Sequence, residues 1–347
     1  MKHRSRPVRR LSLGLIAAAM AFLSGCAKNA PQDTLDPDGP IARQLDNLWN
    51  PVFAIATFVF VFVNALILIV IFKFRRKSDD DAPVQVHGNT KLEFGWTLIP
   101  FLLLVGVGFF TILNVVDIDR IPKGDDVVKV NVIGHQWWWE YEYPDLGVTT
   151  ANELHIPAGR KVDVRLTSVD VIHSFWPPRL AGKLDAIPGR ENHMVIEADE
   201  DDIGKTFDGQ CVEYCGESHA NMRLKVVVHS PDDFAKWAET NAAPATIATG
   251  QSDEAEGATL FKTKGCGGCH TVTDYTAGRI GPDLTHLYQR KTFAGAIFDL
   301  DDESLRRWLR NPPKEKPMMP DDGIGMPNLN LSEDEITKLI AYLNTLK

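Results

Sequence analysis

Two uninterrupted apolar runs, PVFAIATFVFVFVNALILIVIF at 51–72 and FGWTLIPFLLLVGVGFFTILNVV at 94–116, constrain this chain more than any other feature. Neither carries a charge, and each exceeds the roughly 20 residues that an α-helix needs to cross a bilayer. A buried helix of a soluble domain rarely stays apolar on every side over such a length. Between the runs lies Lys73-Phe74-Arg75-Arg76-Lys77, the excess of cations that marks a cytoplasmic loop. The two helices therefore form a hairpin, with the N-terminus and everything after about 117 facing outward. Pro100 should kink the second helix where a neighbouring helix covers the freed carbonyl.

The outward N-terminus reads as a secretory signal. Lys2, Arg4, Arg6, Arg9 and Arg10 precede a short apolar stretch at 11–23. Leu23-Ser24-Gly25-Cys26 follows and resembles the bacterial lipobox, which implies cleavage after 25, lipidation of Cys26 and a lipid anchor. Without those five cations the net charge of −9 becomes −14. Most of the excess lies in 125–239, which holds 21 acidic and 11 basic residues. Such a surface repels nucleic acid and anionic lipid and suits a basic protein partner.

From 127 to about 228 short runs rich in valine and aromatics alternate with Gly and Pro, as in VVKVNVIG, KVDVRLTS and RLKVVVHS. This spacing predicts a Greek-key β-sandwich. Between the last two predicted strands stands GQCVEYCGESHANM, 209–222, with Cys211, Cys215, His219 and Met222. Two thiols, an imidazole and a thioether are the soft ligand set of copper electron-transfer sites. His173, at the end of an earlier strand in DVIHSFWPP, can supply a second imidazole.

The chain has five cysteines, and all five fall inside local patterns, leaving none for a structural disulfide. The last two stand in Cys266-x-x-Cys269-His270, the attachment signature of haem c, with His270 as proximal ligand. Residues 240–252, TNAAPATIATGQS, carry no charge and read as a flexible linker to this region. Helices are predicted from Asp253 to Lys264, over DDESLRRWLRN, and after the capping box of Ser332 and Glu335. The sixth haem ligand should be a methionine on the loop before that last helix, where Met318, Met319 and Met326 compete.

From the first apolar run to about 235, these residues resemble subunit II of the haem-copper cytochrome c oxidases. The carriers are the loop pattern C-x-E-x-C-G-x-x-H-x-x-M, GHQWWWEYEY at 134–143, DVIHSFWPP and DAIPGREN at 185–192. The resemblance implies a binuclear copper centre, CuA. In it Cys211 and Cys215 bridge two coppers, His173 and His219 take one each, and Met222 and the Glu213 carbonyl complete the set. It further implies electron input at Trp137, a magnesium bound by the Glu213 side chain at the subunit I interface, and Glu93 at the mouth of a proton path. Capping of a helix start explains Glu93 equally well. The C-terminal part resembles small helical cytochromes c, in which the ligand often stands as Met-Pro shortly before a Leu-Ser helix start. Met326-Pro327 fits that pattern, and the resemblance makes Pro282 the carbonyl partner of His270.

The expected architecture is a multidomain membrane protein. A signal peptide (1–25) precedes a transmembrane hairpin (26–120), a cupredoxin-like Greek-key β-sandwich (121–239), a linker (240–252) and an all-α class I cytochrome c domain (253–347). The implied function is electron input to a terminal oxidase in a bacterial inner membrane, the large C-terminal half being periplasmic. Electrons pass from haem c to CuA and on to subunit I, where oxygen is reduced with proton pumping. Subunits I and III are the implied membrane partners, and a soluble cytochrome c or a quinol–cytochrome c reductase is the implied donor. Service to another reductase such as nitrous oxide reductase is the alternative, although that enzyme's histidine-rich copper domain has no counterpart among ten scattered histidines. A copper-free quinol oxidase subunit would lack Cys211 and Cys215.

Overall fold

The computed structural model describes residues 30–76, 78, 85, 87–124 and 126–347; Cys26 and the signal segment lie outside them. Two helices, α1 (Pro40–Lys73) and α2 (Thr90–Ile118), are long and apolar enough to span a membrane. Their apolar side chains are exposed, as lipid-facing residues must be. Helix α1 begins eleven residues before its apolar run. Gly39 precedes it, Pro40 supplies the fixed φ of a first turn, and Ile41, Leu45 and Leu48 recur at helical spacing. This extension is fastened to the domain above: Arg43 pairs with Asp199, and Gly39 packs so closely that a Cβ there would lie 2.2 Å from the Glu197 carbonyl. Gln44 also donates to Asp117 at 3.1 Å, joining the two outer helix ends.

The β-sandwich contains β1 (Val128–His135), β2 (Trp138–Tyr143), β3 (Val148–Ala151), β4 (Glu153–Pro157), β5 (Val162–Ser168), β6 (His173–Trp176), β7 (Leu184–Ala186), β8 (Asn192–Ile196), β9 (Thr206–Cys211) and β10 (Arg223–His229). Its sheets run β3-β2-β1-β5-β8 and β4-β10-β9-β6-β7, each with one parallel pair in the crossed order of a Greek key. Alternate residues of β1 and β10 are buried, so Val130, Val132, Leu224 and Val226 meet Trp139, Tyr141 and Phe175 between the sheets. Helix α3 (Pro231–Ala242), capped by Ser230, closes one end with Phe234 and Trp237.

The third region is helical, with α4 (Asp253–Thr263), α5 (Asp302–Arg310), the single turn α6 (Pro312–Glu315) and α7 (Glu333–Leu343). The capping box of Ser332 and Glu335 is present, and Ile336, Leu339, Ile340 and Leu343 face the core. Two ladders of two residues each supplement the helices. The stretch 240–252 differs from a free coil. Thr240–Ala242 completes α3, the Ala243 carbonyl accepts from His286, and Ala245 and Ile247 pack on the cytochrome core. Its apolar alanines and isoleucine, unlike the residues of a Gly/Ser linker, have a surface to cover.

Candidate copper and haem sites

Strand pairing assembles the first site. β6 lies antiparallel to β9 with Phe175 opposite Cys211, and the Val212 amide donates to the Ser174 carbonyl at 3.0 Å, which seats His173 over the 211–222 loop. That loop is closed at its base where the Cys211 amide donates to the Met222 carbonyl at 2.9 Å. The sulfurs of Cys211 and Cys215 lie 3.8 Å apart. His173 Nδ1 is 3.9 Å from Cys211 Sγ, His219 Nδ1 3.5 Å from Cys215 Sγ, and Met222 Sδ 3.9 Å from Cys215 Sγ. The Glu213 carbonyl stands 3.2 Å from Cys211 Sγ, while its carboxylate side faces outward. All six expected copper-site residues are thus brought together.

The electrostatics suit a thiolate-binding metal. A hydrogen shared with Cys215, reinforced by His173, holds the Cys211 thiol well below its usual range, and the Cys215 thiol is held correspondingly high. Burial opposes a charge on His173, but the Asp170 carboxylate and Cys211 together outweigh it and raise the imidazole. Asp170 Oδ1 lies 2.8 Å from His173 Nε2, which turns Nδ1 toward the sulfurs. Asp170 also accepts from the Gln136 amide at 2.6 Å. Sequence reasoning passed over Asp170; an acid three residues before a ligand histidine is the only signal that could have found it. A Cβ at Gly134 would come within 2.6 Å of the His173 ring, so glycine there lets the ring lie against β1. Two thiols at bridging separation, two inward Nδ1 atoms, a thioether and a carbonyl fit a copper pair.

The second site is a cleft of about 1250 Å³, its mouth included. Phe261, Leu287, Leu305, Leu309, Leu339 and Leu343 form its apolar walls, and Cys266, Cys269 and His270 also line it. Cys266 and Cys269 are free thiols. His270 Nδ1 bonds the Pro282 carbonyl at 2.8 Å, leaving Nε2 for the cleft, and burial lowers its pKa. Gly281 sits so close that a Cβ would fall 2.6 Å from the His270 ring. Met326 lines the cleft and its sulfur accepts from Trp308 Nε1 at 3.2 Å. Met318 lines it too; Met318 and Met319 both pack on the β-sandwich core, and Met319 does not line the cleft. Apolar walls, paired thiols and a histidine oriented through Nδ1 fit a haem c.

The two sites share a wall. Gln136, Trp137, Trp138 and Asn152 of the sandwich line the haem cleft. Trp137, the expected point of electron input, is 2% exposed and covered by the cytochrome region. Its indole Nε1 donates to the Cys215 carbonyl at 2.9 Å, and its own carbonyl accepts from Lys316 Nζ at 2.7 Å. Glu153, also 2% exposed, accepts from the amides of Lys291 (2.9 Å) and Thr292 (2.7 Å) and from the Thr292 hydroxyl (2.6 Å) across the same boundary. Ser218 in the copper loop donates to the Pro317 carbonyl, and the Arg223 amide to the Gly295 carbonyl at 3.0 Å. Glu93 is not part of this assembly. It accepts from the Asn89 amide at 3.1 Å in the first turn of α2, roughly 37 Å along the helix from Ile118 at about 1.5 Å per residue.

Comparison with known proteins agrees with these three regions. Residues 29–113 match the transmembrane domain of cytochrome C oxidase subunit II, 147–230 its periplasmic domain, and 254–347 cytochrome c. The cytochrome c oxidase subunit 2 of Alkalihalophilus pseudofirmus is 39% identical over 333 residues, covering 94% of each chain. The chain belongs to the cytochrome c oxidase subunit 2 family. The Bacillus subtilis member is 35% identical over 350 residues and 96% of each chain. The periplasmic domain of subunit II of the Bradyrhizobium japonicum cytochrome oxidase, a crystal structure, is 35% identical; the match covers 35% of this chain and 96% of that one, with a TM-score of 0.33. As a subunit 2 with a fused cytochrome c domain, the chain is a membrane component of a haem-copper oxidoreductase with an electron-input role, and it associates with subunit I.

Proposed function

We propose that this subunit takes in electrons at its cytochrome domain and hands them through the copper domain to subunit I, where oxygen is reduced to water with proton pumping. The observation that carries the reading is Trp137, hydrogen-bonded on one side to Cys215 of the copper loop and on the other to Lys316 of the haem cleft. Bound haem and a bound copper pair would supply the one-electron chemistry; the chain's part is to hold them still and dry. Cys211, Cys215, His173, His219, Met222 and the Glu213 carbonyl would hold the copper pair, the two thiolates supplying its soft, electron-sharing ligands. Cys266 and Cys269 would attach the haem, and His270 and Met326 would hold its iron.

Because Trp137 is covered, an external donor, whether soluble cytochrome c or a quinol–cytochrome c reductase, delivers to the haem domain rather than to the tryptophan. The exposed side chains of Val169, Ile172 and Tyr214 flank the copper ligands and suit a face set down on subunit I. There the outward Glu213 carboxylate can take a magnesium ion. Glu93 at the cytoplasmic end of α2 stands where a proton path could open. Subunit III and a lipid on Cys26 complete the proposed assembly. The test is flash reduction of haem in the loaded chain, followed at the haem and copper bands. Transfer to copper should be independent of protein concentration, and a rate proportional to concentration would show that the haem serves another molecule.

A further inference from the structure

Two cations, Arg290 and Lys316, line the haem cleft, and no aspartate or glutamate does. Arg290 is engaged by neutral oxygens: Nε donates to Thr150 Oγ1 at 3.1 Å and another guanidinium N–H to the Asp283 carbonyl. Lys316 is 3% exposed, and its ammonium donates to the carbonyls of Trp137 and Ala294, at 2.7 and 2.9 Å. Among the described residues no carboxylate forms an ion pair with it. One of its three N–H bonds is therefore uncommitted, and a buried ammonium without a counter-charge is costly. The backbone around it is arranged for its presence. Gly295 has φ +82°, and a Cβ there would lie 2.6 Å from Lys316 Nζ and 2.6 Å from the Asn221 carbonyl.

A haem brings two propionate carboxylates into a cleft that has none of its own. We propose that Lys316 is a positioning residue that pairs with a haem propionate and ties that edge of the haem to the Trp137 backbone. The inference rests on the reading of the cleft as a haem c site. It makes the lysine a clasp joining three things at once: the cofactor, the cytochrome strap at Ala294 and the tryptophan that bonds the copper loop. A cation so placed favours the electron-rich haem, and its removal disfavours reduction.

The experiment compares the full-length, haem- and copper-loaded chain with Lys316→Met and Lys316→Arg. Haem content is measured after denaturation, the haem reduction equilibrium by spectroelectrochemistry, and the propionate bending mode by resonance Raman. Lys316→Met should retain its haem, shift the reduction equilibrium toward the oxidised form by about tenfold (about 59 mV for one electron), and move the propionate mode. Lys316→Arg should restore most of both. An unchanged equilibrium and mode in Lys316→Met overturn the proposal. If that variant does not fold, the unaltered chain still decides: its propionate mode should shift in D2O, and a mode indifferent to deuterium overturns the pairing. Absence of attached haem from the unaltered chain would instead overturn the underlying reading of the cleft.

Discussion

Replacing Glu153 by alanine should undock the cytochrome domain without unfolding it. The carboxylate lies at the start of β4 yet spends all its hydrogen bonds on the other domain, accepting from two amides and one hydroxyl of Lys291 and Thr292. Truncation leaves three donors at the boundary unanswered and removes one of the two anions, Asp283 and Glu153, that oppose the Arg290 charge. Charge-assisted bonds contribute about 1.5–3 kcal/mol each, and removing one side of a buried charged contact costs about 3–5 kcal/mol. Water reaching the opened boundary recovers part of the larger sum, so about 3–5 kcal/mol is the expected loss. At 1.4 kcal/mol per tenfold, the docked-to-undocked ratio falls by about two to three and a half powers of ten. Hydrogen exchange reads this directly. The Arg223 amide donates to the Gly295 carbonyl across the boundary, so it reports docking; because Lys225, two residues on, pairs with Glu153, neighbouring β10 amides serve as the control for a local wound. Its protection should collapse in Glu153→Ala, while amides that join β10 to β9, such as that of Val226, stay protected. Full protection of Arg223 in the variant would refute the assignment of Glu153 as the anchor.

Cys215→Ser should abolish the two-copper EPR signal and leave haem absorption intact, since Cys266, Cys269, His270 and Met326 all lie outside the copper loop; a retained seven-line spectrum would contradict the bridging role. Asp170→Asn should weaken copper binding about 10–100-fold, the usual consequence of losing a partner that orients a ligand histidine; competition against a copper chelator measures it, and equal affinity would refute it. Burial, with the nearby His229 and cations, holds the His155 imidazole well below its usual pKa. Its neutral form is favoured in the fold, so stability is full above about pH 6.5 and falls as pH drops from there toward the folded pKa. The slope is up to about 1.4 kcal/mol per pH unit, and denaturant unfolding of the loaded chain at pH 7.5, 6.5 and 5.5 should show it, with His155→Gln flatter.

The proposed copper and haem ligands stand out in the sequence because their chemistry demands short fixed spacings: Cys211 to Met222 is one loop and Cys266 to His270 one turn. His173 needed the added premise that a copper pair wants a second imidazole. The membrane runs are legible by length, although α1 extends back to Pro40, where Ile41 packs on the sandwich core and Leu48 lines the groove against α2. What the sequence conceals is whatever exists only when two domains meet. Glu153, Arg290 and Lys316 are ordinary charged residues by type, of the kind that usually sits on a surface. Their burial comes from the approach of the 291–296 and 316–318 segments to the copper loop, and no local pattern encodes that approach. Trp137 is the clearest case. Its motif marks it for electron transfer, but not that its access to solvent is taken by the chain's own C-terminal third.

The docked arrangement also gives a reason to expect transfer rates that are indifferent to salt. A flexible tether would give that result by local concentration alone, holding the haem domain at a millimolar effective concentration while it searches an acidic surface. Here the charges that cross the boundary are buried, where mobile ions screen them far less than they screen surface pairs. Each is answered mostly by neutral backbone groups: Glu153 by amides, Lys316 by carbonyls. Such an interface is costly to desolvate and would bind weakly between separate molecules. Covalent fusion removes that difficulty, because the association entropy is spent once, when the chain is made. The fused domain can therefore use contacts chosen for the position they impose on Trp137 and the copper loop, even where those contacts contribute little net affinity.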